Sequence, residues 1–158
     1  MHLFNHAVTK GAIFMLLGGI AATAGGVGLA RMRGLGRSMP VASFGIVVCG
    51  LSLIGVPGTA GFISKWVLVQ AAVERGQWWL VAMIALSSLL AVAYVWRFVE
   101  AAYFGAPAAD APPIPRMRWQ LIAPSLVLVA LTVWFGIDTS FTLNSAALAA
   151  SQLLGGAH

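Results

Sequence analysis

The chain has 158 residues, of which 60% are hydrophobic and 8% charged, with a mean hydropathy of +0.92 and a net charge of +5. A soluble domain carries about 25% charged residues, so the composition excludes a soluble protein and predicts an all-α integral membrane one. The positive balance does not point to nucleic acid, because seven of the nine basic residues are arginines placed mostly at the ends of apolar segments, where they set topology.

The first predicted span covers residues 3–24. On a helix His2, His6 and Lys10 are spaced i, i+4, i+8 and share one slowly turning face, with Asn5 and Thr9 beside them. Leu3, Phe4, Ala7 and Phe14 form the apolar back. One reading is a relay of protonatable groups, since histidine titrates near neutrality and burial disfavours a charged lysine. The plain alternative places the histidines at the interface and lets Lys10 snorkel to the surface. Because the stripe starts at the second residue, the chain is expected to be a piece of a longer protein. Its start lacks the basic leader and small-residue site of a cleavable signal.

A glycine-rich connection over residues 25–40 carries Arg31, Arg33 and Arg37. The second apolar run, residues 41–73, would be roughly 50 Å long as one helix, against a hydrocarbon core of about 30 Å. Its centre reads Gly55-Val56-Pro57-Gly58-Thr59-Ala60-Gly61-Phe62-Ile63-Ser64-Lys65-Trp66. Proline removes a donor and clashes with the preceding turn, while glycine accepts conformations other residues avoid. The run is therefore predicted to be a helix broken at Pro57, Gly58 and Gly61, with Lys65 just past the break. An ionisable group beside unwound backbone at membrane depth suggests an ion path. A lysine snorkelling between two short re-entrant helices is the alternative.

After the polar turn Glu74-Arg75-Gly76-Gln77, a third span is predicted over residues 78–104, with Trp78, Trp79 and Tyr103 as interfacial anchors. Arg97 and Glu100 lie i, i+3 near its end and read as a structural interfacial pair or a channel mouth. Residues 105–118 form a proline-rich loop holding Asp110, Arg116 and Arg118. The fourth span is predicted over residues 119–136. The tail, residues 137–158, has a weak apolar stripe of Leu143, Ala147, Leu148, Leu153 and Leu154, read as a helix capped by Asp138 that lies along the membrane interface or against a partner. The arginine distribution puts loops 25–40 and 105–118 in the cytoplasm of a multi-pass protein of the cell membrane.

No cofactor or metal site is expected. Cys49 is the single cysteine, no phosphate-binding glycine loop is present, and His2 and His6 lack the further ligands a metal or haem needs.

Three ordered stretches carry a resemblance. They are His2-Leu3-Phe4-Asn5-His6-Ala7-Val8-Thr9-Lys10-Gly11-Ala12-Ile13-Phe14, then Gly34-Leu35-Gly36-Arg37-Ser38-Met39-Pro40, then residues 51–66 with the break. Together they resemble the proton-translocating antiporter-like subunits of respiratory complex I, membrane-bound hydrogenases and multi-subunit cation/proton antiporters. The resemblance covers residues 2–104. It implies the last four of about fourteen helices, the second of the four broken, with residues 1–136 forming the C-terminal part of the transmembrane domain. It assigns His2, His6 and Lys10 to a central hydrophilic axis and Lys65 to the broken-helix charge. Ser64-Lys65-Trp66 looks most like the D-type subunit of the cation/proton antiporters.

The implied function is proton translocation, coupled to Na+ or K+ exchange, with other membrane subunits and the bilayer as partners and no redox chemistry in this chain. The alternatives are a proton-pumping subunit of a complex I-type NADH:quinone oxidoreductase or a hydrogenase, and a non-conducting structural element.

Overall fold

The computed structural model describes residues 2–106, 115–141, 144, 148, 149, 151 and 152. Among these every regular element is helical. Helix α1 is His2–Ala24, α2 Leu29–Met32, α3 Leu35–Ser38, α4 Pro40–Ile54, α5 Ala60–Glu74, α6 Trp78–Val99 and α7 Trp119–Ile137. A π-helical turn, Glu100–Phe104, extends α6. Three helical stretches, His2–Ala24, Trp78–Phe104 and Trp119–Ile137, are long and apolar enough to cross a membrane, and Pro40–Ile54 is a shorter apolar helix. The protein is a multi-pass membrane protein.

Helix α4 begins at a proline, which suits a first-turn position whose amide has no partner in any case. It ends at Gly55, whose φ of +95° only glycine adopts without strain. The Gly55 and Val56 amides both turn back to the Leu51 carbonyl. Five residues later α5 starts. Helix α6 runs beside both pieces, meeting α4 where Val95 covers Gly50 and α5 where Ser88 meets Lys65. The run of residues 41–73 is thus two consecutive helices laid along one neighbour.

The core lies where α1, α4 and α7 meet, built from Ala12, Leu16, Ile46, Cys49 and Val129. Small residues let the backbones approach, as they do in membrane bundles. Gly45 sits under Leu16, and Gly136 of α7 rests directly on the backbone of Thr59. The apolar back of α1 faces outward, with Leu3, Phe4 and Phe14 all exposed.

The arginine-bearing connection of residues 25–40 contains structure that its glycines did not suggest. Arg31 donates to the Ala24 carbonyl at 2.7 Å and closes the end of α1. Helix α3 docks on the π-helical turn. There Gly105 N–H reaches back to the Glu100 carbonyl, which leaves the Ala101 carbonyl to accept from Gly34 at 3.1 Å. Gly36 lies against the Tyr103 ring. The first loop and the segment before α7 lie at the same end of the molecule, where Arg37 and Met117 line one cavity.

Of the proline-rich loop, Asp110, Pro107, Pro112 and Pro113 lie outside the described residues, as do Leu143, Ala147, Leu153 and Leu154 of the tail stripe. Leu148 is exposed. The Asp138 carboxylate accepts from the Ser140 hydroxyl and from the Ser140 amide, and these bonds hold its carboxyl below the usual carboxylate range.

Candidate functional site

Breaking a helix leaves its last carbonyls and the next helix's first amides without partners. Lysine and serine side chains fill that role here. Lys65, one turn into α5, folds back so that its Nζ donates to Leu53 O at 2.7 Å and Ile54 O at 3.2 Å, both at the end of α4. A third bond goes to Ser88 Oγ of α6 at 2.6 Å. An ammonium has three donors and no acceptor, and all three are placed. The charge also sits at the negative end of the α4 dipole. At the other side of the break Ser52 Oγ accepts from the Gly61 amide at 3.1 Å, serving the first turn of α5 in place of its own N-cap residue, Thr59, which makes no side-chain cap bond.

The polar face of α1 lies over this junction. Asn5 and Thr9 are buried on it. Asn5 Nδ2 donates to Ala60 O at 3.2 Å, and Thr9 Oγ1 lies 3.3 Å from Ser52 Oγ. His2 Nδ1 is 3.1 Å from Ser64 Oγ, which in turn donates to Gly61 O. The His2 and His6 rings stack with centroids 5.7 Å apart.

Between α1, the break and α6 lies a cavity of about 190 Å³, room for several waters. His2, His6, Lys10 and Lys65 all line it, with Asn5, Thr9, Ser52, Ser64, Ser87 and Tyr94 completing the polar wall. Lys10 and Ser87 are exposed, whereas His2, His6 and Lys65 are half-buried. Asn5 Oδ1 is buried and has no hydrogen-bond donor among the described residues. Among the described residues no group of three His, Cys, Asp or Glu side chains converges as a metal site.

Of the helix-break residues, Gly58 takes a φ of +85° and Pro57 is exposed in the turn, while Gly61 packs on the Ser52 carbonyl. Arg97 and Glu100 are both exposed and do not line the cavity. No ion pair joins them among the described residues. The partners that sequence reasoning missed are Ser52, Ser64 and Ser88. The signal for Ser88 was present, since Ser87 and Ser88 are the first polar residues in α6, ten residues into an apolar stretch.

The hydroxyl and imidazole groups around the cavity can each donate and accept hydrogen bonds. A neutral amine loses one donor and gains a lone pair. The carbonyls of Leu53 and Ile54 can only accept, whereas the Ser88 hydroxyl can do either. Ser88 is thus the partner able to follow Lys65 through both protonation states.

Comparison with known proteins adds independent information. Residues 1–91 match the family described as NADH:quinone oxidoreductase/Mrp antiporter, TM. The chain is 36% identical over 139 residues to NADH-quinone oxidoreductase subunit N of Desulforudis audaxviator, an overlap of 84% of this chain and 28% of that protein. It is 30% identical over 153 residues to the D-type Na(+)/H(+) antiporter subunit of Bacillus subtilis, covering 97% of this chain and 31% of the relative. The chain therefore spans about a third or less of the length of these relatives. Among solved structures, the Mrp complex from Dietzia sp. DQ12-45-1b matches with a TM-score of 0.86 at 23% identity, over 96% of this chain and 36% of that one. That likeness speaks for the fold.

Proposed function

Because the chain belongs to the NADH:quinone oxidoreductase/Mrp antiporter transmembrane family, we propose that it supplies part of a proton path in a cation/proton antiporter, within an assembly of several membrane subunits. The observation that carries the reading is one cavity lined at once by His2, His6, Lys10 and Lys65 beside a broken helix. Protons pass through water linking these groups. Lys65 alternates between charged and neutral forms as neighbouring charges come and go, since like charges disfavour each other's ionisation. Na+ or K+ is the exchanged ion. The arginine-bearing loops, residues 25–40 and 105–118, face the cytoplasm.

A second reading, a proton-pumping subunit of a respiratory NADH:quinone oxidoreductase, is favoured by the 36% identity to a subunit N. Both readings use the same cavity and differ in what drives it.

The test is proton flux in membrane vesicles carrying the assembled complex, followed with a pH-sensitive dye. Lys65→Ala and Lys10→Ala are each expected to abolish flux while leaving the subunit in the membrane. Unchanged flux in both variants sinks the proposal. Dependence of wild-type flux on Na+ or K+ separates antiport from redox-driven pumping.

A further inference from the structure

A second cavity, of about 350 Å³, opens at the end of the molecule where the first loop meets the start of α7. Its volume lies within the range of about 300–1,000 Å³ in which small molecules bind. Arg37 lines it from α3, and Arg116 lines it from the segment before α7. Among the described residues no acidic one does. Among the described residues neither guanidinium is engaged in a hydrogen bond or ion pair, unlike Arg31, which is occupied at the end of α1. The remaining wall is largely apolar, including Met39, Val41, Met117 and Ile122.

The segments that carry the two arginines are anchored from outside the cavity. Helix α3 is fixed on the π-helical turn by the Gly34 to Ala101 hydrogen bond, and Met117 is buried over Gly19 of α1. The first turn of α4 also borders the space, and no side chain caps its amides, which adds a positive dipole end to the two charges. Trp119, two residues after Met117, is exposed, as an interfacial anchor would be.

We propose that this cavity binds the phosphate headgroup of an anionic phospholipid, with Arg37 and Arg116 on the phosphate and an acyl chain along Val41 and Ile122. A guanidinium's planar donor fork suits phosphate oxygens. Basic pockets between membrane helices are natural sites for anionic headgroups. The apolar wall distinguishes a lipid from a free anion.

The test is native mass spectrometry of the full chain in neutral detergent, titrated with dioleoyl phosphatidylglycerol, dioleoyl phosphatidylcholine or inorganic phosphate. The wild type is expected to retain one phosphatidylglycerol in preference to phosphatidylcholine. Each interfacial basic residue contributes a factor of about five near an anionic surface, so Arg37→Gln with Arg116→Gln together should weaken retention roughly thirtyfold. Arg75→Gln, in the turn before α6, should bind like the wild type.

Equal retention of both lipids overturns the proposal, as does a double variant no weaker than Arg75→Gln. Displacement by an equal concentration of inorganic phosphate also overturns it, in favour of a plain anion site. Circular dichroism checks the fold. If the double variant loses helix, the two single variants decide, each expected at about a fivefold loss.

Discussion

Substituting Gly61 by alanine probes the junction that organises the site. A Cβ at this position would fall on the backbone carbonyl of Ser52, which cannot swing away as a side-chain end would. Relief requires the start of α5 to move off α4. Overpacking of this kind costs about 1–3 kcal/mol, and a clash with backbone belongs at the upper end. The movement also breaks the Gly61 N–H to Ser52 Oγ bond and strains the Asn5 to Ala60 bond, each worth about 1 kcal/mol. Alanine's better helix propensity returns about 1 kcal/mol. The net is a loss of roughly 3–4 kcal/mol, a large share of a typical stability of about 5–15 kcal/mol.

The assay is unfolding in mixed micelles with increasing dodecyl sulfate, read by helical circular dichroism. Gly18→Ala is the control, because a Cβ there meets nothing within 4 Å in an exposed part of α1. It should be neutral or gain up to about 1 kcal/mol from propensity alone. If Gly61→Ala unfolds with Gly18→Ala rather than well before it, the close approach of α5 to α4 is wrong.

Further outcomes follow from the same geometry. Ser88→Ala should cost roughly 1.5 kcal/mol, the low end for a hydrogen bond to a charged group because the site is half open; it should slow proton flux while micelle unfolding shows the helices intact. Gly136→Ala should destabilise by about 2–3 kcal/mol through contact with the Thr59 backbone, measured by the same dodecyl sulfate titration. A carbon-13 titration of Asp138 should give a midpoint below the ordinary value of about 3.9, because Ser140 hydrogen-bonds the charged form. The linked contribution is present above the ordinary carboxylate value and is lost as pH falls through the lowered one. Ser140→Ala should move the midpoint back up.

The sequence made the helices and their break legible for physical reasons. A run of residues 41–73 is too long for one span, and Pro57 with its neighbouring glycines tells where it must stop. The i, i+4 spacing of His2, His6 and Lys10 equally fixes one face of α1. What spacing along a single helix cannot report is which other helix that face meets. The bonds from Lys65 to Ser88, from His2 to Ser64 and from Ser52 to Gly61 cross between elements or reach over the break. They depend on helix packing, to which a lone serine gives almost no periodic signal. The single helical turns α2 and α3 were hidden for a related reason. Four-residue helices have too few positions to show a pattern, and here docking on the π-helical turn holds α3 in place.

Whether Lys65 itself gives up and regains a proton decides between a relay and a fixed charge. The measurement is dye-followed proton flux in vesicles of the assembled complex, comparing wild type, Lys65→Ala and Lys65→Arg. Arginine keeps a charge and its donors but does not deprotonate in proteins. Loss of flux in Lys65→Arg, with the subunit still assembled, is the predicted result. Wild-type flux through Lys65→Arg would mean that the site needs only a fixed cation against the α4 carbonyls, and the relay through Lys65 would be contradicted.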